Sequence, residues 1–182
     1  MNKVYLLILG LVFLSSCENK LKTHLEAARI KKASAALVEE EAFAAEKSPY
    51  TKLFLSYEAI RKALAEDQLP AIGKLASTLS KEVEMLLKNK KEENQDLVRK
   101  VRNAAGALST EKENEKVRVA FGNLSQAVVA LYKKSGSTIF YFYHCPMAKG
   151  YQYWLQTKNE DIANPYMGTK MSKCGTKEDS NL

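Results

Sequence analysis

The sequence predicts a mainly α protein: an antiparallel four-helix bundle with a short strand and an irregular, Cys/Met-rich C-terminal cap. Three observations predict it. Apolar residues recur at helical spacing in four stretches between residues 48 and 135, with short polar connections. After Gly136 that spacing gives way to Thr138-Ile-Phe-Tyr-Phe-Tyr143, a β-branched and aromatic run. From Tyr143 to Gly175 the chain then gathers both cysteines beyond residue 17, one of its two histidines, its only tryptophan and three of its five methionines.

The chain opens with MNKVYLLILGLVFLSSC. Lys3 supplies a positive start. Val4 to Leu14 is an apolar run of signal-peptide length, too short for a permanent membrane span. Leu14-Ser15-Ser16-Cys17 then resembles a bacterial lipobox, where the signal is cut and the cysteine sulfur receives lipid. The expected organisation is a signal peptide over 1–16, a lipid-anchored, partly helical tether over 17–47, and a helical domain over 48–182. The expected location is the cell envelope, anchored to the outer membrane and facing the periplasm. Cleavage leaves 182 − 16 = 166 residues, the size of one domain. His24, alone in the Ala/Glu/Lys-rich tether, reads as a solvated side chain.

Each helix has its own signal. Ser48-Pro49 suits an N-cap followed by a first helical position, and Leu53, Phe54, Tyr57, Ile60 and Leu64 follow. The stretch from Asp67 to Pro70 breaks that helix. Ile72, Leu75, Leu79, Val83 and Leu86 form a second stripe, and the polar KNKKEEN of residues 88–94 ends it. Leu97, Val98, Val101, Ala105 and Leu108 form a third. Thr110-Glu-Lys-Glu113 reads as a capping box for the fourth. There Val117, Phe121, Leu124, Val128 and Leu131 step by 4, 3, 4, 3, and Ser135-Gly136-Ser137 stops the helix.

The formal charge is +7, and lysines are interspersed with glutamates, as in KNKKEEN. That is a solvated surface facing an anionic membrane, and no nucleic-acid partner is expected. The chain has no Ser/His/Asp order, no HExxH, no phosphate-binding glycine loop and no CxxC. An enzyme is therefore not expected.

The tail carries the chemistry. Pro146 biases Cys145 to an extended conformation, which sends Cys145 and Met147 to one side. Met167, Met171 and Cys174 stand at i, i+4 and i+7, one face if that stretch is helical. Thiolate and thioether donors select Cu(I), and imidazole is compatible with copper. Zinc is less suited, since close cysteine pairs are missing. Spacing alone leaves three readings open: a disulfide between Cys145 and Cys174, a soft-metal site, or free thiols. The disulfide closes a loop of about 30 residues and is worth roughly 3–4 kcal/mol. On that reading the tail is a stapled structural or interaction cap without metal.

The pattern His144-Cys145-Pro146-Met147-Ala148, Trp154-Leu155, Asn164-Pro165-Tyr166-x-Gly168 and Met171-x-x-Cys174-Gly175 resembles the bacterial domain of unknown function 3347. So do the helix opening near Tyr57-Glu58-Ala59-Ile60 and the Leu124-Ser125 helix. That family occurs in envelope lipoproteins and at the C-terminal end of copper/silver efflux adaptors. The resemblance, over about residues 50–176, implies a helical domain tied to copper or heavy-metal handling. It implies that His144, Cys145, Met147, Met171 and Cys174 carry the metal. Met167, which departs from the family pattern, is a weaker ligand or a packing residue. The resemblance also implies a copper efflux component as partner, beside the membrane held through Cys17. YHCPM is similar to the same stretch of heavy-metal-binding domains, with Ala148 in place of their usual histidine. The expectation is a lipid-anchored periplasmic Cu(I)-binding protein for buffering, resistance or hand-over to efflux.

Overall fold

The computed structural model describes residues 48–89, 93–158 and 160–178. All of them belong to one unit, Ala42–Leu182. The expected signal peptide and tether, with Cys17 and His24, lie outside the described residues. Four helices come first: α1 (Thr51–Ala65), α2 (Leu69–Leu87), α3 (Gln95–Thr110) and α4 (Asn114–Ser135). Then come β1 (Phe140–His144), β2 (Tyr153–Thr157), a 3-10 turn (Gly168–Met171) and β3 (Thr176–Glu178). Among the described residues no helix is long and apolar enough to cross a membrane.

The helices pack in chain order, α1 on α2, α2 on α3 and α3 on α4. Their buried faces are the stripes written in the sequence. Leu53, Phe54, Tyr57, Ile60 and Leu64 of α1 are buried, as are all five residues of the α4 seam. On α2, Ala76 shares the core with Ile72, Leu79 and Val83, while Leu75 and Leu86 pack at its margin. Gly136, at φ 70°, ends α4 at the expected stop.

Two caps differ from expectation. Helix α1 starts after Tyr50, because Ser48 makes a turn of its own. Its hydroxyl accepts the Tyr50 N–H at 3.3 Å and its carbonyl accepts the Thr51 N–H at 3.2 Å. The capping box at Thr110 does not form. Thr110 is the last residue of α3 and donates its hydroxyl to the Ala107 carbonyl at 3.0 Å. Glu111 instead takes the connection's donors, the N–H of Lys112 at 2.9 Å and of Glu113 at 3.4 Å.

Beyond the single expected strand, the structure has two more. The sheet is antiparallel in the order β2-β1-β3. Tyr143 pairs with Trp154, and His144 stands between Tyr153 and Thr176. One sheet face, with Phe140 and Phe142, meets Tyr132 of α4 at ring-centroid distances of 5.7 Å. The other face, with Tyr143, Trp154 and Gln156, is covered by the chain after residue 160. Tyr143 stacks on Trp154 at 5.4 Å, and Tyr166 meets Trp154 edge-on at 6.0 Å.

Strand β2 lies at a sheet edge, so its outer backbone groups need partners. The bundle supplies them. Tyr57 of α1 accepts the Leu155 N–H at 3.3 Å, and Ser125 of α4 donates to the Tyr153 carbonyl at 2.9 Å. Tyr57 and Ser125 are hydrogen-bonded to each other at 2.7 Å. Burial raises the Tyr57 pKa far above the ordinary phenol range, so the hydroxyl stays neutral. The sheet edge is thereby docked on α1 and α4.

Candidate functional site

Three sulfurs meet where β1 ends. Cys145 follows the strand with its N–H on the Gln152 carbonyl at 2.9 Å, and it is fully buried. The chain turns there, with the Ala148 N–H on the Cys145 carbonyl at 3.1 Å, and Met147 stands on that turn. Cys174 arrives from the far end of the tail. Its Sγ is 3.8 Å from Cys145 Sγ and 3.9 Å from Met147 Sδ. Both cysteines are free thiols. Cys174 is half-buried and Met147 is 58% exposed, so the cluster has a buried end and an open one.

Two residues place Cys174. Gly175 has φ 132°, and a Cβ there would lie 2.8 Å from the Trp154 ring and 2.9 Å from the His144 carbonyl. Only glycine lets the chain pass this close to the sheet. Asn164 is fully buried and acts as a clamp. Its Nδ2 donates to the Cys174 carbonyl at 2.6 Å, and its Oδ1 accepts the N–H of Tyr166 at 2.8 Å and of Met167 at 3.1 Å. Its own N–H bonds the Ser172 carbonyl at 2.8 Å.

The other sequence-derived candidates have different surroundings. Strand alternation turns His144 to the face opposite Tyr143. Its ring stacks on Tyr153 at 4.6 Å, Nε2 is 3.1 Å from Gln152 Oε1, and Nδ1 is 3.8 Å from a Glu178 oxygen. Residues 167–174 do not form the α-helical face. A 3-10 turn ends at Met171 and is followed by a turn with the Cys174 N–H on the Met171 carbonyl at 3.0 Å. The left-handed Gly168 at its start and Gly175 after it leave no room for a longer helix. Met171 is 39% exposed at the end of that turn. Met167 packs against the core and lines, with Met147, Ala148, Val119 and Arg118, an open cleft of about 490 Å³.

The sulfur spacing can be set against a shared cation. At a metal–thiolate bond of about 2.3 Å, two sulfurs on one ion stand about 3.8–4.0 Å apart for angles from tetrahedral to trigonal. The two observed separations fall in that range, and they also suit thiols in van der Waals contact. The donors are two thiols and one thioether, a soft set. Among the described residues no three His, Cys, Asp or Glu side chains converge. The hydrogen bond with Cys145 holds the Cys174 pKa above the ordinary thiol value, so a bound cation must displace a proton.

A buried ion-pair network fixes the tail to α1. Arg61, 1% exposed, grips Glu58 through two hydrogen bonds of 2.8 Å. It also reaches Glu160 at 2.9 Å and the Ala163 carbonyl at 3.0 Å, next to Asn164. Desolvation pushes the Glu58 carboxyl up, opposed by the Arg61 charge. Glu58, Arg61, Gln152 and Asn164 are not among the sequence-derived candidates. A charged pair at i, i+3 beside the apolar stripe was the available signal for the first two. Asn164-Pro165 signalled a turn, and nothing in it signalled a bond to Cys174.

A family model described as "Protein of unknown function (DUF3347)" matches residues 53–139. The match runs from within α1 through α4 and stops before β1, so the sulfur cluster lies beyond it. No curated protein and no solved structure matches the chain.

Proposed function

The chain belongs, over residues 53–139, to the DUF3347 family, and from that premise we propose a lipid-anchored envelope protein that binds Cu(I) for buffering, resistance or hand-over to efflux. The supporting observation is the convergence of Cys145, Met147 and Cys174, with sulfur separations of 3.8 and 3.9 Å. On this reading the two cysteines hold the cation as thiolates and Met147 closes the open side as a thioether. His144 and Met171 are outer candidates, and Met167 lines the approach. Cys17 carries the lipid, the outer membrane is the surface it enters, and the domain faces the periplasm. The role is binding rather than catalysis, and the partner is a component of a copper efflux system.

The test is a Cu(I) titration of the full chain in detergent, reduced and anaerobic, against a chromophoric competitor. One-to-one binding is expected. Cys145→Ser and Cys174→Ser should abolish it, and Met147→Leu should weaken it by about tenfold. Unchanged affinity in both serine variants would overturn the reading.

A further inference from the structure

We propose that Cys145 and Cys174 are a reversible thiol–disulfide pair in which Cys174 reacts first, Cys145 resolves, and closure of the bridge shuts the sulfur site. The cation-release half of this rests on the function proposed above; the thiol chemistry does not.

The geometry gives the two thiols unequal roles. Their sulfurs are 3.8 Å apart, within reach of a bond by side-chain rotation and a small shift. Cys145 is fully buried, whereas Cys174 is half-buried and opens towards solvent past Met147. A reagent therefore meets Cys174 first. The two residues lie on different segments, one fixed at the end of β1 and one after the 3-10 turn. The register of β1 with β3 pairs His144 with Thr176. The cysteines flank that pair, Cys145 one residue after His144 and Cys174 two before Thr176, so a bridge would tie the ends of two adjacent strands.

The oxidant is a small-molecule or protein disulfide. The Cys174 thiolate attacks one sulfur of that disulfide, forms a mixed disulfide and expels the other half as a thiolate. The Cys145 thiolate then attacks Cys174 Sγ, forms the Cys145–Cys174 bond and expels the second half. The two cysteines lose two electrons and two protons, and the oxidant leaves as two thiols. Once bridged, the pair offers no thiolate, and Met147 alone is a weak donor for a soft cation. The protein would then release its cation under oxidising conditions and regain it on reduction.

The test uses the full chain in detergent with glutathione disulfide as the oxidant, read by intact mass and peptide mapping. The wild type should lose two hydrogens and yield a Cys145–Cys174 linked peptide. With Cys17 mapped separately, Cys145→Ala should stop at one glutathione on Cys174, and Cys174→Ala should stay unmodified at Cys145. A wild type whose Cys145 and Cys174 remain reduced, or one that accumulates stable glutathione adducts on either of them, overturns the proposal without any variant needing to fold. So does a Cys174→Ala protein modified at Cys145. In the metal arm, bridged protein should bind Cu(I) more than about a hundredfold more weakly than reduced protein. Equal affinity in the two states overturns the release half. Failure of the reduced protein to bind Cu(I) overturns the proposed function and the release half, while the mass measurements still decide the thiol chemistry.

Discussion

Asn164 is where the site is most exposed to a single-atom change. Its amide spans two needs: Nδ2 donates to the Cys174 carbonyl, and Oδ1 accepts two backbone N–H groups. Asn164→Asp keeps the acceptor and removes the donor, placing a carboxylate oxygen against the Cys174 carbonyl. The expected cost is about 1–3 kcal/mol in folding stability. Cu(I) affinity should fall about tenfold to a hundredfold through misplacement of Cys174. Urea unfolding and the competitor titration measure the two. No change in either would remove Asn164 from the site's support. At this scale the sequence showed donor types and concealed their placement. Cys145 and Met147 both approach Cys174, but through a turn at residues 145–148 and not through the extended segment the sequence implied. His144, the neighbour of Cys145, faces Tyr153 and Gln152 because adjacent strand residues point opposite ways. The bond from Asn164 to Cys174 spans ten residues of irregular chain, where no period exists to reveal it.

Between elements, the helices were the legible part. Burial of one face at 3.6 residues per turn imposes a period, and the α4 seam is buried at each of its five positions. Helix ends were less legible, since several polar groups compete for the same N–H groups. Ser48 closes a preceding turn, and Glu111 takes the donors that the Thr110 box needed. Strands β2 and β3 were missed for different reasons. Tyr153–Thr157 carries a strand-like composition, yet its edge is completed by Tyr57 and Ser125 from distant helices. Thr176–Glu178 is a three-residue strand with no apolar pattern at all. Arg61 is the buried charged tie between α1 and the tail, beside the Tyr57 bond to β2, and its removal should act on that joint. Arg61→Ala leaves Glu58 buried without its partner, at an expected cost of about 3–5 kcal/mol. Arg61→Met with Glu58→Gln removes both charges and should cost less than Arg61→Ala alone. Thermal unfolding of the three proteins checks the order. An Arg61→Ala protein as stable as wild type would show that the pair is not held by mutual neutralisation.

Over the whole domain, the tail is keyed to the bundle at a second point, and that point titrates. Asp67, in the left-handed conformation at φ 57°, sits between α1 and α2. Its carboxylate accepts the Thr169 N–H at 2.9 Å and the Thr169 hydroxyl, and pairs with Arg118 of α4. Arg118 also donates to the carbonyls of Leu64, at 3.1 Å, and of Pro165. The helix connection, α4 and the 3-10 turn thus share one charge. The bonds from Thr169, assisted by Arg118, hold the Asp67 carboxyl below its ordinary pKa. A lowered folded-state pKa gives stability that is fully present above the unfolded-state value and lost as pH falls through the folded one. Acid should therefore loosen the tail from the bundle as pH drops below the ordinary aspartate range. Trp154, the only tryptophan, is fully buried beneath Tyr166 and beside Gly175, so its fluorescence reports the tail, while far-ultraviolet circular dichroism reports the helices. On acidification the Trp154 signal should change before the helical signal. Asp67→Asn should unfold at lower urea than wild type near neutral pH and match it in acid, where both side chains are neutral. A stability gap that stays constant from neutral to acid pH would mean that the Asp67 charge does not hold the tail to the helices.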